Sequence, residues 1–194
     1  MSKKQGAAKI PASYRLLYTE MEIEREVARI GAEITDWAGE VNAKSGKDII
    51  AIPLLRGGIF FFGSLMVHVR SSVELVSART KMYTPGQNNV QLKDVEITLD
   101  GVDMGGRSVL LVDDLCDSGK TLRAMQEHLL KAGATEVRTA VLAKRILATE
   151  SFEPTWIGFE YKGPEWFVGF GLDDCNRWSN LPSIYVIEGT GKSS

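Results

Sequence analysis

The chain has 194 residues, 44% of them hydrophobic and 25% charged, enough to bury the core of one domain without staples. Its formal net charge of -2 excludes an overall positive field that would attract nucleic acid or an anionic membrane. It has no apolar run near the roughly 20 residues of a membrane span and no metal-ligand spacing among Cys116, Cys175, His68 and His128.

Residues 1–12 and 189–194 are small and polar and are expected to fray. The lysines near Met1 have no apolar stretch behind them, so no signal peptide is expected. With only two distant cysteines, a reducing, cytoplasmic compartment is the expectation. Nothing divides the chain, and residues 1–194 are read as a single domain.

A helix is predicted from Glu20 to Asn42. Thr19 and Glu22 have capping-box spacing, and Ile23, Val27, Ile30, Ile34, Trp37 and Val41 draw one apolar stripe. Asp48 to Leu55 is a continuous apolar run that suits a strand buried on both faces. Arg56-Gly57-Gly58 breaks it, a helix follows from Ile59 to Val69, and a strand from Val73 to Ala78.

The polar stretch from Arg79 to Asp94, with Pro85-Gly86 and two Asn, reads as a long loop. Further strands are predicted at Val95–Leu99, Ser108–Val112 and Val137–Leu142, with a helix from Lys120 to Lys131 ended by Gly133. Short strands are expected at Trp156–Phe159, Phe167–Phe170 and Ile184–Ile187. Alternating strands and helices make an α/β fold with a mostly parallel central sheet flanked by helices. Ligands of such sheets bind beyond the carboxyl ends of the strands, so the loops at 56–58, 113–120 and 144 onward should share one crevice.

The chemistry concentrates in Val109-Leu-Leu-Val-Asp-Asp-Leu-Cys-Asp-Ser-Gly-Lys-Thr121. Gly119-Lys120-Thr121 is not half of a nucleotide P-loop, because Asp114 stands where that motif needs glycine. The amides of Ser118 to Thr121 at a helix start, with the hydroxyls of Ser118 and Thr121, still make a pocket for one phosphate. Asp113 and Asp114 are either turn residues or ligand residues. Beside a phosphate pocket they would repel a polyphosphate, so hydrogen-bonding sugar hydroxyls or a divalent cation should face them. A phosphate next to hydroxyls describes a ribose 5′-phosphate.

These thirteen residues resemble the phosphoribosyl pyrophosphate signature of the type I phosphoribosyltransferases. From about Tyr18 to Glu188 the chain is similar to the hypoxanthine-guanine phosphoribosyltransferases, through Tyr18-Thr-Glu-Met-Glu-Ile, Leu54-Leu-Arg-Gly-Gly58 and Phe167-Val-Gly-Phe-Gly-Leu-Asp173. The resemblance implies the type I phosphoribosyltransferase fold, with a small hood built from the N- and C-terminal segments. It implies purine salvage from phosphoribosyl pyrophosphate and a 6-oxopurine, with Mg2+ as cofactor, in a homodimer or homotetramer.

It also assigns residues. Asp113 and Asp114 hold the ribose hydroxyls. Asp117, Ser118, Gly119, Lys120 and Thr121 hold the 5′-phosphate, and Asp117 is also the proposed general base near the purine. Leu55, Arg56 and Gly57 bind pyrophosphate through the backbone, with a cis peptide bond before Arg56. Lys144 donates to the 6-oxo group, which an amino group could not accept; such sites can reject the wrong base by roughly 10⁴–10⁵-fold. Trp166 stacks on the purine, the backbone of Phe167 meets its edge, and Asp173, with Asp113 and Asp114, binds magnesium. Tyr83 belongs to a lid that keeps water from the cation-like ribose formed as pyrophosphate leaves.

One position departs from the family pattern. Ser179 stands where relatives have a pyrophosphate-contacting Arg, and Arg177 lies two residues earlier. A non-enzymatic sensor that kept the donor pocket is the rival class, and a preference for xanthine or another base is the rival substrate.

Overall fold

A computed structural model describes residues 9–82, 95–99, 101–146 and 152–188. Tyr83, most of the expected lid, and the segments 1–8 and 189–194 lie outside these residues.

Tyr14–Tyr18 forms a strand, β1, that local pattern did not announce. Thr19 then caps helix α1, Glu20–Ser45, in the expected box. The Thr19 hydroxyl accepts the Glu22 amide at 3.3 Å, and the Glu22 carboxylate accepts the Thr19 amide at 2.8 Å. Ile23, Val27, Ile30, Ile34 and Trp37 are buried, and the helix runs three residues past the expected Asn42.

Strand β2, Ile49–Pro53, is buried throughout. Helix α2, Ile59–His68, and strand β3, Val73–Leu75, follow. The strand expected from Val73 to Ala78 is therefore two pieces. Ala78–Met82 is β4, paired antiparallel with β5, Val95–Leu99. The polar stretch expected as loop thus begins as a hairpin arm, because a distant partner supplies ladder hydrogen bonds that local composition does not reveal.

β6 spans Ser108–Cys116, α3 Lys120–Lys131 and β7 Glu136–Arg145. Both strands outrun their expected ends at Val112 and Leu142, since they pair with each other up to Cys116 opposite Lys144. The remaining strands are β8, Trp156–Tyr161, β9, Trp166–Val168, and β10, Ile184–Ile187.

The main sheet is five-stranded, with order β3-β2-β6-β7-β8, and all its pairings are parallel. Alternation along the strands divides the core between two faces. Ala51, Leu110, Val112 and Ala140 pack with the stripe of α1 and with Phe61 and Leu65 of α2. Ile50, Ile52, Val109, Leu111 and Val141 pack with Leu122, Met125 and Leu129 of α3. A three-stranded antiparallel sheet, β1-β10-β9, joins the two ends of the chain as the expected hood. Among the described residues no helix is long and apolar enough to cross a membrane.

Candidate active site

The carboxyl ends of β2, β6 and β7 open on one side of the sheet, and the loops beyond them line a cavity of about 820 Å³. Leu55 and Gly57 come from the loop after β2, Asp113 and Asp114 from the last residues of β6, Asp117 from the loop that follows it, Thr121 from the first turn of α3, and Arg145 from the end of β7. Trp166, Phe167 and Asp173 from the hood segment complete it. A smaller hollow of about 90 Å³ adjoins it, lined by Asp117, Ser118, Gly119, Lys120 and Thr121 among others.

The small hollow has the features of an anion site. No side chain caps α3, and no acidic residue lies in its first turn, so the amides there keep their capacity for an outside acceptor. Gly119 makes the turn at φ 69, and a Cβ there would run into Phe152.

Beyond β2 the peptide bond between Leu55 and Arg56 is cis, as the resemblance implies. Gly57 lies against Asp114 so closely that a Cβ there would fall on the Asp114 carboxylate where it now stands. Arg56 itself turns away from the cavity, its guanidinium donating to Asn176 Oδ1 at 3.0 Å.

The acid pair lies near the end of β6. Asp113 Oδ1 accepts the Asp114 amide at 3.0 Å, and Asp114 Oδ1 accepts the Leu115 amide at 2.8 Å. Burial, followed by the charge of Asp114, raises the Asp113 carboxyl well above the usual range. Asp114 is raised too, foremost by burial, with the charge of Asp173 acting in the same direction. Among the described residues the cavity is lined by the carboxylates of Asp113, Asp114, Asp117 and Asp173 and by one cationic side chain, Arg145. Such a lining favours hydroxyl donors or a cation over a bare polyanion.

These oxygens suit magnesium, a hard ion that keeps several waters and takes other ligands from substrate phosphates. Among the described residues no three His, Cys, Asp or Glu side chains are grouped as a metal cage.

On the hood side Trp166 is 50% exposed, and its indole N–H donates to the Asp173 carbonyl at 2.7 Å, which fixes the ring as a wall of the cavity. Phe167 is buried edge-on to Tyr161, with ring centroids 5.0 Å apart. Asp173 Oδ1 accepts the Asn176 amide at 2.8 Å.

Lys144 is not brought to the cavity. It is 7% exposed, and its ammonium pairs with Glu153. Because β7 continues to Arg145, Lys144 is part of the strand and does not follow it, and successive side chains point to opposite faces. The neighbour, Arg145, faces the cavity. Its Nε donates to Asp117 Oδ1 at 2.8 Å. Arg145 was missed in the sequence; a strand end placed at 145 would have put it on the ligand side. Arg177 is exposed, stacks over the Trp178 ring at 5.9 Å and does not line the cavity, while the Ser179 carbonyl accepts the Gly171 amide at 2.8 Å.

Fold and motif define a type I phosphoribosyltransferase, and the phosphoribosyl transferase domain family matches residues 24–174. A hypoxanthine phosphoribosyltransferase of Escherichia coli is 32% identical over 171 residues, covering 87% of this chain and 92% of that protein. One from Haemophilus influenzae is 31% identical over 172 residues, with the same 87% and 92% coverage. A hypoxanthine phosphoribosyltransferase structure from Staphylococcus aureus shares the fold, with a TM-score of 0.76 at 21% identity over 93% of this chain and 94% of that one. The chain belongs to the phosphoribosyl transferase family, in its hypoxanthine-guanine branch.

Proposed function

We propose that this enzyme serves purine salvage, transferring the phosphoribosyl group of phosphoribosyl pyrophosphate to hypoxanthine, guanine or both, with release of pyrophosphate. The observation that carries this reading is the uncapped start of α3 placed beside the buried acid pair, one site for phosphate next to one for hydroxyls. The 5′-phosphate rests on the amides and hydroxyls from Ser118 to Thr121. Asp113 and Asp114 take the ribose hydroxyls, and the backbone of Leu55, Arg56 and Gly57 receives the pyrophosphate.

The base stacks on Trp166, with its edge along Phe167 and Asp173, and Asp117 accepts the proton of its imidazole nitrogen. Lys144 donates to the 6-oxo group on exchanging Glu153, whose side chain is 69% exposed and so free to turn to solvent. Magnesium bound by Asp173, Asp113 and Asp114 would neutralise the leaving pyrophosphate. Tyr83 belongs to the lid that closes over the reacting centre.

A homodimer or homotetramer accords with Ile59, Phe60 and Val67, which leave an exposed apolar face on α2. A cytoplasmic location and no nucleic-acid partner complete the reading.

The test is turnover with magnesium, phosphoribosyl pyrophosphate and each of hypoxanthine, guanine, xanthine, adenine and orotate. Turnover of hypoxanthine or guanine is expected. Turnover of adenine or orotate alone would overturn the substrate class, and tight donor binding without turnover of any base would favour a sensor.

A further inference from the structure

Arg145 joins three segments that meet at the base end of the cavity. Its Nε donates to Asp117 Oδ1 on the loop after β6 at 2.8 Å, its Nη1 to the Gly163 carbonyl, and its Nη2 to the Glu165 carbonyl at 3.1 Å. The guanidinium plane also lies over the Phe167 ring at 4.9 Å and the Tyr161 ring at 5.9 Å. Its side chain is 11% exposed, whereas that of Asp117 is 53% exposed and has Arg145 as its side-chain partner among the described residues.

We propose that Arg145 is a positioning residue. It holds the Asp117 carboxylate toward the base and locks the turn at residues 163–165 that presents Trp166 and Phe167 to it. This rests on the phosphoribosyltransferase reading given above and adds to it a residue that acts through others.

A loop carboxylate that is half exposed samples several rotamers unless something fixes it, and a displacement of about 1 Å at a reacting centre can cost roughly 10²-fold in rate. The guanidinium suits the task because its donors form a rigid planar fork; a lysine ammonium has the charge without the fork. In this arrangement Lys144 pairs with Glu153 and Arg145 alone of the two meets Asp117. Two carbonyls of the turn also depend on Arg145, and both would lose a buried partner without it.

The test compares Arg145→Lys and Arg145→Met, each alone and combined with Asp117→Asn. With Asp117 intact, Arg145→Met should lower kcat about 10²-fold and Arg145→Lys about 10-fold, with donor affinity changed less than about 3-fold. In the Asp117→Asn background the further loss in kcat should shrink to less than about 3-fold, because residues acting as a unit are not additive. Multiplying losses, or wild-type kcat in Arg145→Lys and Arg145→Met, would overturn the proposal.

Hydrogen exchange in the ligand-free protein supplies a readout independent of the reaction. Amides of Gly163, Glu165, Trp166 and Phe167 should exchange at least about tenfold faster in Arg145→Lys, a variant that keeps the charge and so the better prospect of folding. Unchanged exchange would overturn the positioning role even in an enzyme that uses oxopurines. Faster exchange in a protein that turns over no oxopurine would support the positioning role and overturn the substrate reading instead.

Discussion

Gly57 and Asp114 occupy one space: a Cβ built on Gly57 would fall on the Asp114 carboxylate. The loop at Leu55–Gly57 and the Asp114 side chain are therefore packed against each other, and any Cβ at 57 would have to push the carboxylate aside. Gly57→Ala should displace Asp114 and lower kcat/KM for phosphoribosyl pyrophosphate by roughly 10²-fold, the order expected for misplacing a binding group. Steady-state kinetics with the donor varied check this, and a loss under threefold would show that the two segments shift apart without consequence.

Asp113 carries a pH prediction. Its native carboxyl lies well above the ordinary 3.8, so the folded protein holds that proton more tightly than the unfolded chain. The resulting stabilisation is full below about pH 4 and is lost as pH rises through the native value. Asp113→Asn removes the buried charge and keeps an oxygen for the Asp114 amide. It should raise the ligand-free Tm at neutral pH by about 2–4 °C, as about 1 kcal/mol does in a domain of this size. The gain should fade as pH approaches 4, and donor binding should weaken at least tenfold. Thermal melts across pH test the first part and calorimetry the second.

Trp166 presents a half-exposed ring to the cavity, where the proposed function puts the base. Trp166→Ala should raise KM for the base by about 10- to 100-fold, from the roughly 1–3 kcal/mol of stacking per base, and Trp166→Phe by much less. Equal KM values for the three proteins would remove the platform role.

The Lys144–Glu153 pair yields opposite expectations for its two members. If Lys144 must leave Glu153 to meet the oxo group, Glu153→Gln should lower KM for hypoxanthine by at least about 2- to 5-fold, the scale of an ion pair with one exposed member. Lys144→Met should raise it at least about tenfold. A raised KM in Glu153→Gln would mean that the pair holds Lys144 in its working place.

The two cysteines should react at different rates. Burial pushes the Cys116 thiol up to about 11, whereas Cys175 is exposed. A thiol reagent at neutral pH should modify one group quickly in the native protein and the second only on unfolding. Fast modification of both would show that the segment around Cys116 opens readily.

What could be read in the chain was local and contiguous. The run from Val109 to Thr121 holds strand, acids, glycine turn and helix start within thirteen residues, so their spacing alone fixes their relation. The stripe of α1 and its capping box are legible for the same reason, since helical contacts lie three and four residues apart. Strand length was not legible, because β6 and β7 support each other beyond the points where local pattern ends them.

Tertiary structure alone decided three matters. It paired β1 with β10 across the length of the chain and β4 with β5 across the polar stretch. It laid Gly57 on Asp114. It also decided which of two adjacent cations lines the cavity: the doublet Lys144-Arg145 is plain in the sequence, but which residue faces the cavity depends on where β7 ends and on its pairing with β6 and β8. That pairing joins residues far apart in the chain, and a strand's two faces are equivalent until a neighbour distinguishes them.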